Sequence, residues 1–226
     1  MPSYSIIENF EVHKNNRFLE IAEALKPELL HKEIKAEKEI MVGKDRQMRT
    51  VITEEHPIEN LYTKSLKRDD TVFVDFGDHA VGYVTLELSK TGSHQDAPVY
   101  FYLKFGERLE EMTDKTADYD GWLSRGWIQE EYIHVDVLPA KVKLPRRYSF
   151  RYMELRVIDT SAKFQLKIDG ISCDTVSAVD MESVKPVDFG DSLLNQIDLV
   201  SRKTLKECRM FLRMDQSVTA ECGWEI

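Results

Sequence analysis

The feature that most constrains this fold is an alternation of apolar and polar residues with a period of two, running from about residue 71 to residue 172. In APVYFYLKFGERL, for example, Val99, Phe101 and Leu103 alternate with more polar residues. The string TVFVDFGDHAVGYVTLELS predicts two strands around a glycine-containing turn, and EEYIHVDVL, YSFRYMELRVI and AKFQLKIDGISC predict further strands. Regular short strands bounded by turn residues predict a mainly β chain, an antiparallel sandwich of the jelly-roll or concanavalin-like kind.

The residues ahead of this region are mixed. Phe18, Ile21 and Leu25 recur at helical spacing and predict a short helix ended by Pro27. The stretch 30–42 that follows fits a helix and a strand equally well and stays unassigned.

A second change of period marks FGDSLLNQIDLVSRKTLKECRMFL, where apolar residues return at helical spacing. Asp191 or Ser192 can cap this helix, because either side chain can accept hydrogen bonds from the free amides of the first turn. The apolar stripe comprises Leu193, Leu194, Ile197, Val200, Thr204, Leu205, Cys208, Phe211 and Leu212. Such a helix needs an apolar partner, either the sandwich or the next helices of a second domain.

These changes of period divide the chain into three parts. Residues 1–70 are a mixed N-terminal segment that we expect to join the sandwich, residues 71–186 are the β-sandwich domain, and residues 187–226 begin a helical domain.

The composition excludes several functional classes. Lys and Arg number 31 against 40 Asp and Glu, a net charge of -9 with both signs interspersed, which disfavours nucleic acid and anionic membranes as partners. No basic leader followed by an apolar stretch is seen, and no window approaches the roughly 20 apolar residues of a spanning helix. Cys173, Cys208 and Cys222 form no CxxC pattern, so neither disulfides nor zinc are indicated and we expect a cytoplasmic protein.

Five strings carry a resemblance to a known family. In chain order they are VDFGDHAVGYVTLEL, YLKFGERLEEM, GWLSRGWIQEEYIHVDVLP, LPRRYSFRYMELRV and DSLLNQIDLVSRKTLKEC, covering about residues 70–212. Together they resemble the front half of bacterial α-L-rhamnosidases of glycoside hydrolase family 78. The resemblance implies β-sandwich domains followed by an (α/α)6 barrel, and Asp191 to Leu212 resembles the opening helix of that barrel.

The resemblance also implies a reaction. The family hydrolyses terminal α-L-rhamnosides with inversion, using a carboxylic acid and a carboxylate roughly 6.5 to 9.5 Å apart, and needs no cofactor. Both groups lie in the barrel, and the stretch that includes the general acid is of the type DGPKRDR followed by WxGD, just after a helix of this kind. This chain reads RMDQSVTAECGWEI there instead. We therefore expect no catalytic residue in this chain, which alone should be inactive.

A shift of reading frame explains this tail. Permissible codons for LRMDQSVTAECGWEI, regrouped from the third base of the Leu212 codon, spell EDGPKRDRRMWLGD, the family motif in its due place. Most of these codons are chosen among synonyms, but two glycines are forced. In the shifted frame, the last base of the Met214 codon and the first two bases of the Asp215 codon must encode glycine. The codons of Trp224 and Glu225 force the second glycine in the same way. We therefore expect a frame slip near Leu212 and a truncated product; the alternative is a natural polar tail.

Three aromatic residues, Tyr119, Trp122 and Trp127, are the candidates for carbohydrate contact, because flat rings suit the apolar face of a pyranose. Their alternative role is packing in the sandwich or at a domain interface.

The carboxylates Asp75 and Asp78 could serve acid and base catalysis, but turn chemistry explains such pairs more often. The six histidines show no HxH or HExxH spacing, so no metal site is predicted.

The interpretation that follows is the N-terminal fragment of an α-L-rhamnosidase, whose parent acts on a rhamnose-containing glycoside. A stand-alone, non-catalytic carbohydrate-binding module is the alternative. A further expectation is self-association through the C-terminal helix, because its apolar stripe lacks the barrel that it would pack into.

Overall fold

The computed structural model describes residues 15–181 and 183–208, the last of these by its backbone alone. The elements, in chain order, are α1 (Asn16–Ala24), β1 (Leu30–Lys35), β2 (Lys38–Lys44), β3 (Thr50–Pro57), α2 (Ile58–Tyr62), β4 (Thr71–Gly92), β5 (Val99–Gly106), β6 (Glu130–Val135), β7 (Ala140–Lys143), β8 (Tyr148–Asp159), β9 (Phe164–Ser177) and α3 (Ser192–Cys208).

The long strand β4 makes two layers out of one antiparallel sheet. Its first half pairs with β2 and β8, and its second half pairs with β9 and β7. The change of partner falls at Gly82, which pairs with Tyr148 of β8 and with Thr175 of β9. A Cβ at Gly82 would lie 2.2 Å from the carbonyl oxygen of Asp174, so only glycine allows this approach. The sheet, of order β1-β9-β4-β8-β5-β6, folds over here, and the predicted antiparallel β-sandwich is confirmed.

The prediction of two strands around a turn within residues 71–89 is wrong. One strand spans them, because the register against β8 shifts between Asp75 and Ala80 and pairing then resumes. Gly77 adopts a φ of 81° inside this bulge, a conformation that side chains with a Cβ rarely adopt. The strand therefore continues through the bulge, and His79 lies within it.

The main core lies between the layers and buries the odd-numbered residues of β5. Val99, Phe101 and Leu103 are completely buried there. A smaller cluster of Ile40, Met112 and Tyr152 covers part of the opposite face of the same layer. The even-numbered residues of β5 lie on that opposite face because successive side chains of a strand alternate.

Both helices that the sequence predicts are present. The short N-terminal helix is α1, and at α3 the carboxylate of Asp191 accepts the amides of Leu193 and Leu194 at 2.8 and 3.1 Å, which makes Asp191 the cap. The unassigned stretch 30–42 forms β1 and most of β2, and three elements, β3, α2 and β7, were not predicted. The tail from Met210 to Ile226 lies outside the described residues, as do the last residues of the apolar stripe.

No helix within residues 15–181 and 183–208 has the length and apolar character needed to cross a membrane.

Candidate functional site

A long excursion between β5 and β6, residues 107–129, carries the three predicted aromatic candidates. It contains short 3₁₀ turns at Leu109–Met112, Thr116–Asp118 and Arg125–Trp127. Trp122 is 87% exposed and Trp127 is 54% exposed, while Tyr119 is half-buried. Exposed tryptophans of this kind are available to a ligand or to a partner surface.

Polar contacts fix both ends of the excursion. The ammonium of buried Lys104 donates to the carbonyl of Asp114 at 2.5 Å, and the hydroxyl of Thr116 donates to Glu130. At the other end, the Gln129 amide exchanges two hydrogen bonds with the backbone of β8, at 2.8 and 2.7 Å. Hydrogen bonds to the sandwich therefore fix both ends of the excursion, and its tip remains exposed.

The tip does not assemble the three candidate rings into one surface. Tyr119 lies over Gly121, where an added Cβ would be 2.2 Å from the tyrosine oxygen, and its carbonyl accepts from Arg125 at 3.2 Å. Within the part of the chain that the structure describes, no ring contact joins Tyr119, Trp122 and Trp127.

A cluster around His79 joins the sandwich to α3. One ring nitrogen of His79 lies 2.6 Å from the carboxylate of Glu207 on α3. The other ring nitrogen lies 3.0 Å from the hydroxyl of Ser149 and 3.3 Å from the carboxylate of Glu107, the first residue of the excursion. The imidazole thus lies between two carboxylates that belong to different parts of the fold.

The charge of His79 follows from these neighbours. Burial disfavours the imidazolium, but the hydrogen bonds and charges of Glu107 and Glu207 outweigh it and raise the pKa of His79 to about 9. The same contact lowers the pKa of Glu107 below its ordinary value, against the opposing effect of burial. The cluster is therefore an imidazolium between two carboxylates at neutral pH.

Two further polar contacts hold the last turns of α3. Lys203 donates to Asp78, and the hydroxyl of Ser177 at the end of β9 donates to the carbonyl of Lys206 at 2.9 Å. A cavity of about 290 Å³ lies at this junction, lined by Leu30, Lys32, Thr175, Val179, Met181 and Lys206 among others. The helix is thus fixed to the sandwich near its C-terminal end by polar side chains.

The paired acids Asp75 and Asp78 have separate structural partners. Both oxygens of Asp75 accept from Arg151, each at 2.9 Å, and Asp75 also accepts from the amide of Gly77 at 2.7 Å. Asp78 pairs with Lys203 instead, and this hydrogen bond lowers its pKa against a smaller effect of burial. Each carboxylate thus has a cation as its structural partner, buried for Asp75 and exposed for Asp78.

Sequence reasoning did not single out the His79 cluster, because its members are far apart along the chain. Glu107 and Glu207 are separated by one hundred residues, and only the fold brings them to one imidazole. No spacing rule could have found it. Among the described residues, no group of three or more His, Cys, Asp or Glu could hold a metal ion.

Comparisons with known proteins match a family model and solved structures. The family model described as the glycosyl hydrolase family 78 alpha-rhamnosidase N-terminal domain matches residues 38–175. A rhamnosidase from Klebsiella oxytoca, solved with rhamnose bound, is 34% identical with a TM-score of 0.81, over 88% of this chain and 39% of that enzyme. A family 78 rhamnosidase of Bacillus sp. GL1 is 20% identical with a TM-score of 0.44, over 61% of this chain and 13% of that one. No curated protein matches. The chain therefore spans well under half the length of the Klebsiella enzyme.

Proposed function

The chain belongs to glycoside hydrolase family 78, whose α-rhamnosidase N-terminal domain it contains, and we propose that it is the N-terminal portion of a cytoplasmic α-L-rhamnosidase. In this proposal residues 71–186 are the sandwich domain, residues 1–70 complete it, and residues 187–226 begin the helical barrel. The whole parent enzyme would hydrolyse terminal α-L-rhamnosides.

The observation that carries the proposal is the exposed apolar stripe of α3. Polar contacts fix the helix to the sandwich, while its apolar side chains face outward and are about half or more exposed, namely Leu193, Leu194, Ile197, Val200 and Leu205. An amphipathic helix is stabilised mainly by burying such a face. The opening helix of a helical barrel would bury it against the helices that follow.

The proposal gives this chain no catalytic residue. An inverting glycosidase needs two carboxylates with room between them for the sugar and the attacking water. Glu107 and Glu207 do flank a space, but the imidazole of His79 fills it and hydrogen-bonds to both. The inverting pair would therefore come from the barrel, and the chain alone would not hydrolyse rhamnosides.

We attribute the departure of the tail from the family motif to a shift of reading frame near Leu212. The support is the pair of forced glycines, from Met214–Asp215 and from Trp224–Glu225, at the spacing of the family motif. In a natural polar tail the two glycines would fall at this spacing only by chance.

Genomic DNA from the codon of Asp191 through several hundred bases beyond the stop tests this proposal. The expected result is a shifted frame that stays open and encodes the rest of a helical barrel. Restoring one base should then give an enzyme that releases nitrophenol from nitrophenyl α-L-rhamnopyranoside, while the 226-residue chain releases none. Early closure of every frame, or turnover by the purified chain, would contradict it.

The second candidate is a non-catalytic carbohydrate-binding module, favoured by the exposure of Trp122 and Trp127. Calorimetry with a rhamnose-containing glycan tests it. Heats of binding that disappear in Trp122→Ala and Trp127→Ala would support the module, and negligible heats with the unmodified chain would remove it.

A further inference from the structure

The outer face of β5, β6 and β8 carries a contiguous set of aromatic side chains. In the pairing of β5 with β6, Tyr100 lies opposite His134 and Tyr102 lies opposite Tyr132. Arg156 of β8 lies beside Tyr102 on its other flank. These side chains alternate with the core residues, so they point away from the core.

The rings of this face contact one another. Tyr100 stacks on His134 with centroids 3.9 Å apart and planes 6° from parallel. Tyr132 lies 6.3 Å from Tyr100 and 5.0 Å from Tyr102, and the guanidinium of Arg156 lies 4.9 Å from the centre of the Tyr102 ring. We call this surface the tyrosine shelf; it comprises Tyr100, Tyr102, Tyr132, His134, Glu154 and Arg156.

The shelf is open over part of its area. Tyr132 is 58% exposed, whereas Tyr102 is only 6% exposed and forms the floor. The hairpin of β2 and β3 covers the neighbouring part of the same face through Ile40, which packs with Met112 and Tyr152. Thr116 closes the border next to it through its hydrogen bond to Glu130. The exposed rings therefore lie beside a wall rather than on a flat surface.

Two charged groups of the shelf keep hydrogen-bonding capacity. The carboxylate of Glu154 is half-buried, yet no donor among the described residues reaches it, and burial raises its pKa despite the attraction of Arg156 and Lys104. Arg156 forms no ion pair within the described part of the chain, and its guanidinium lies over the Tyr102 ring. The oxygens of Glu154 are not sealed from water and receive no donor from the described chain, so they can accept from the hydroxyl groups of a ligand.

The charges of this surface sum to zero. Two carboxylates, Glu130 and Glu154, lie among two cations, Lys104 and Arg156. Glu130 already accepts a hydrogen bond from the Tyr102 hydroxyl at 2.5 Å, and Lys104 already donates to a backbone carbonyl. The surface therefore has no net charge. This balance favours a neutral ligand over an anion or a cation.

We propose that the tyrosine shelf binds a neutral pyranose. The apolar face of the sugar ring lies against Tyr132 and Tyr100, one hydroxyl donates to Glu154, and another accepts from Arg156. A sugar hydroxyl both donates and accepts, which suits an unpaired acceptor beside an unpaired donor. The site is separate from Trp122 and Trp127, and it does not depend on the proposed function of the chain.

The test is a titration of the isotope-labelled 226-residue chain followed by backbone amide chemical shifts. The probes are methyl α-L-rhamnopyranoside and methyl α-D-glucopyranoside, with glycerol as a hydroxyl-bearing control that has no ring. We expect saturable shifts along β5, β6 and β8 with at least one glycoside. Tyr132→Ala and Glu154→Gln should each weaken binding about tenfold, equivalent to about 1.4 kcal/mol. Trp122→Ala should leave it unchanged.

The variants are chosen so that folding does not obscure the result. Tyr132 is largely exposed and Glu154→Gln preserves shape, so amide shifts elsewhere should match those of the unmodified chain. Three outcomes would overturn the proposal: no saturable shift with either glycoside, equal shifts with glycerol, or shifts confined to residues 119–127 that vanish in Trp122→Ala. None of these outcomes bears on the genomic test of the parent enzyme.

Discussion

The carboxylate oxygen Oε2 of Glu207 lies 2.6 Å from the ring nitrogen Nδ1 of His79, and this contact connects the last described turn of α3 to the bulge of β4. The contact is supported on the far side of the imidazole by Glu107, so that a single protonated ring neutralises acids from the helix and from the excursion. A structural role follows for the bulge: it places His79 where the sandwich meets the helix.

Replacing His79 by Gln should loosen this junction. Two charge-assisted hydrogen bonds are lost and two carboxylates on either side of the ring lose their cation, so we expect the free energy of unfolding to fall by about 1–3 kcal/mol. Urea unfolding followed by circular dichroism measures it. The control is His31→Gln, whose histidine pairs with Asp174 at 2.9 Å in an exposed setting and should change stability by about 0.5 kcal/mol or less. Equal losses in the two variants would contradict the assignment.

The stability of the chain should also fall with rising pH through this cluster. The pKa of His79 is about 9 in the folded chain against an ordinary value of 6.5, so its contribution is complete below pH 6.5 and is lost as the pH rises through 9. Glu107 faces the ring from the excursion and Glu207 faces it from α3, while the neighbouring Asp78 pairs with Lys203 of α3. The acids with lowered pKa act in the opposite range, since their contributions are lost only on acidification below their ordinary pKa values.

Unfolding free energies at several pH values between 6 and 9.5 measure this effect, together with a proton titration of the imidazole by NMR. The decline in the unmodified chain should persist in His31→Gln and disappear in His79→Gln. An imidazole that titrates near its ordinary pKa would show that the two carboxylates do not hold the proton.

Local pattern was enough to predict the layers of the fold and both terminal helices. Alternation along β5 and β8 places apolar residues on one face, and the helical period that follows Asp191 begins at this capping side chain, so each element is encoded within its own residues. The bulge at Gly77 was missed because a glycine between two apolar runs is equally compatible with a turn.

The sites could not be predicted in the same way. The His79 cluster and the tyrosine shelf both join residues from three separate strands or segments, and sequence spacing carries no information about which distant residues a fold brings together. The alternation in VYFYLK did place Tyr100 and Tyr102 on one face, but their ring partners on β6 and β8 depended on strand pairing and register.

The two neighbouring acids of the bulge should respond differently to substitution. The side chain of Asp75 is 4% exposed and receives Arg151 through both oxygens, so Asp75→Ala should cost about 3 kcal/mol by leaving a guanidinium without its partner. Asp78→Ala should cost about 1 kcal/mol or less, because its side chain is 70% exposed. Thermal and urea unfolding of both variants measure the difference. Similar losses would contradict the separate roles assigned to these acids.

Substitutions at the base of the excursion should destabilise the chain, whereas substitutions at its tip should not. Met112 is buried with Ile40 and Tyr152, so Met112→Ala should lower the free energy of unfolding by about 2–3 kcal/mol. Trp122→Ala removes a larger side chain but should change it by about 0.5 kcal/mol or less, since the indole contacts mainly solvent. A large loss from Trp122→Ala would show that the indole packs against the chain itself.

The exposed stripe of α3 should cause the isolated chain to self-associate. Leu193, Ile197 and Val200 lie on one side of the helix and are each more than half exposed, and pairing two such stripes removes apolar surface from water. Light scattering and sedimentation should show association that grows with concentration and is abolished by Ile197→Lys with Val200→Lys. A control variant, Gln47→Lys with Ala97→Lys, adds the same charge at exposed positions outside α3. This variant should still associate. A monodisperse monomer at every concentration would contradict this prediction.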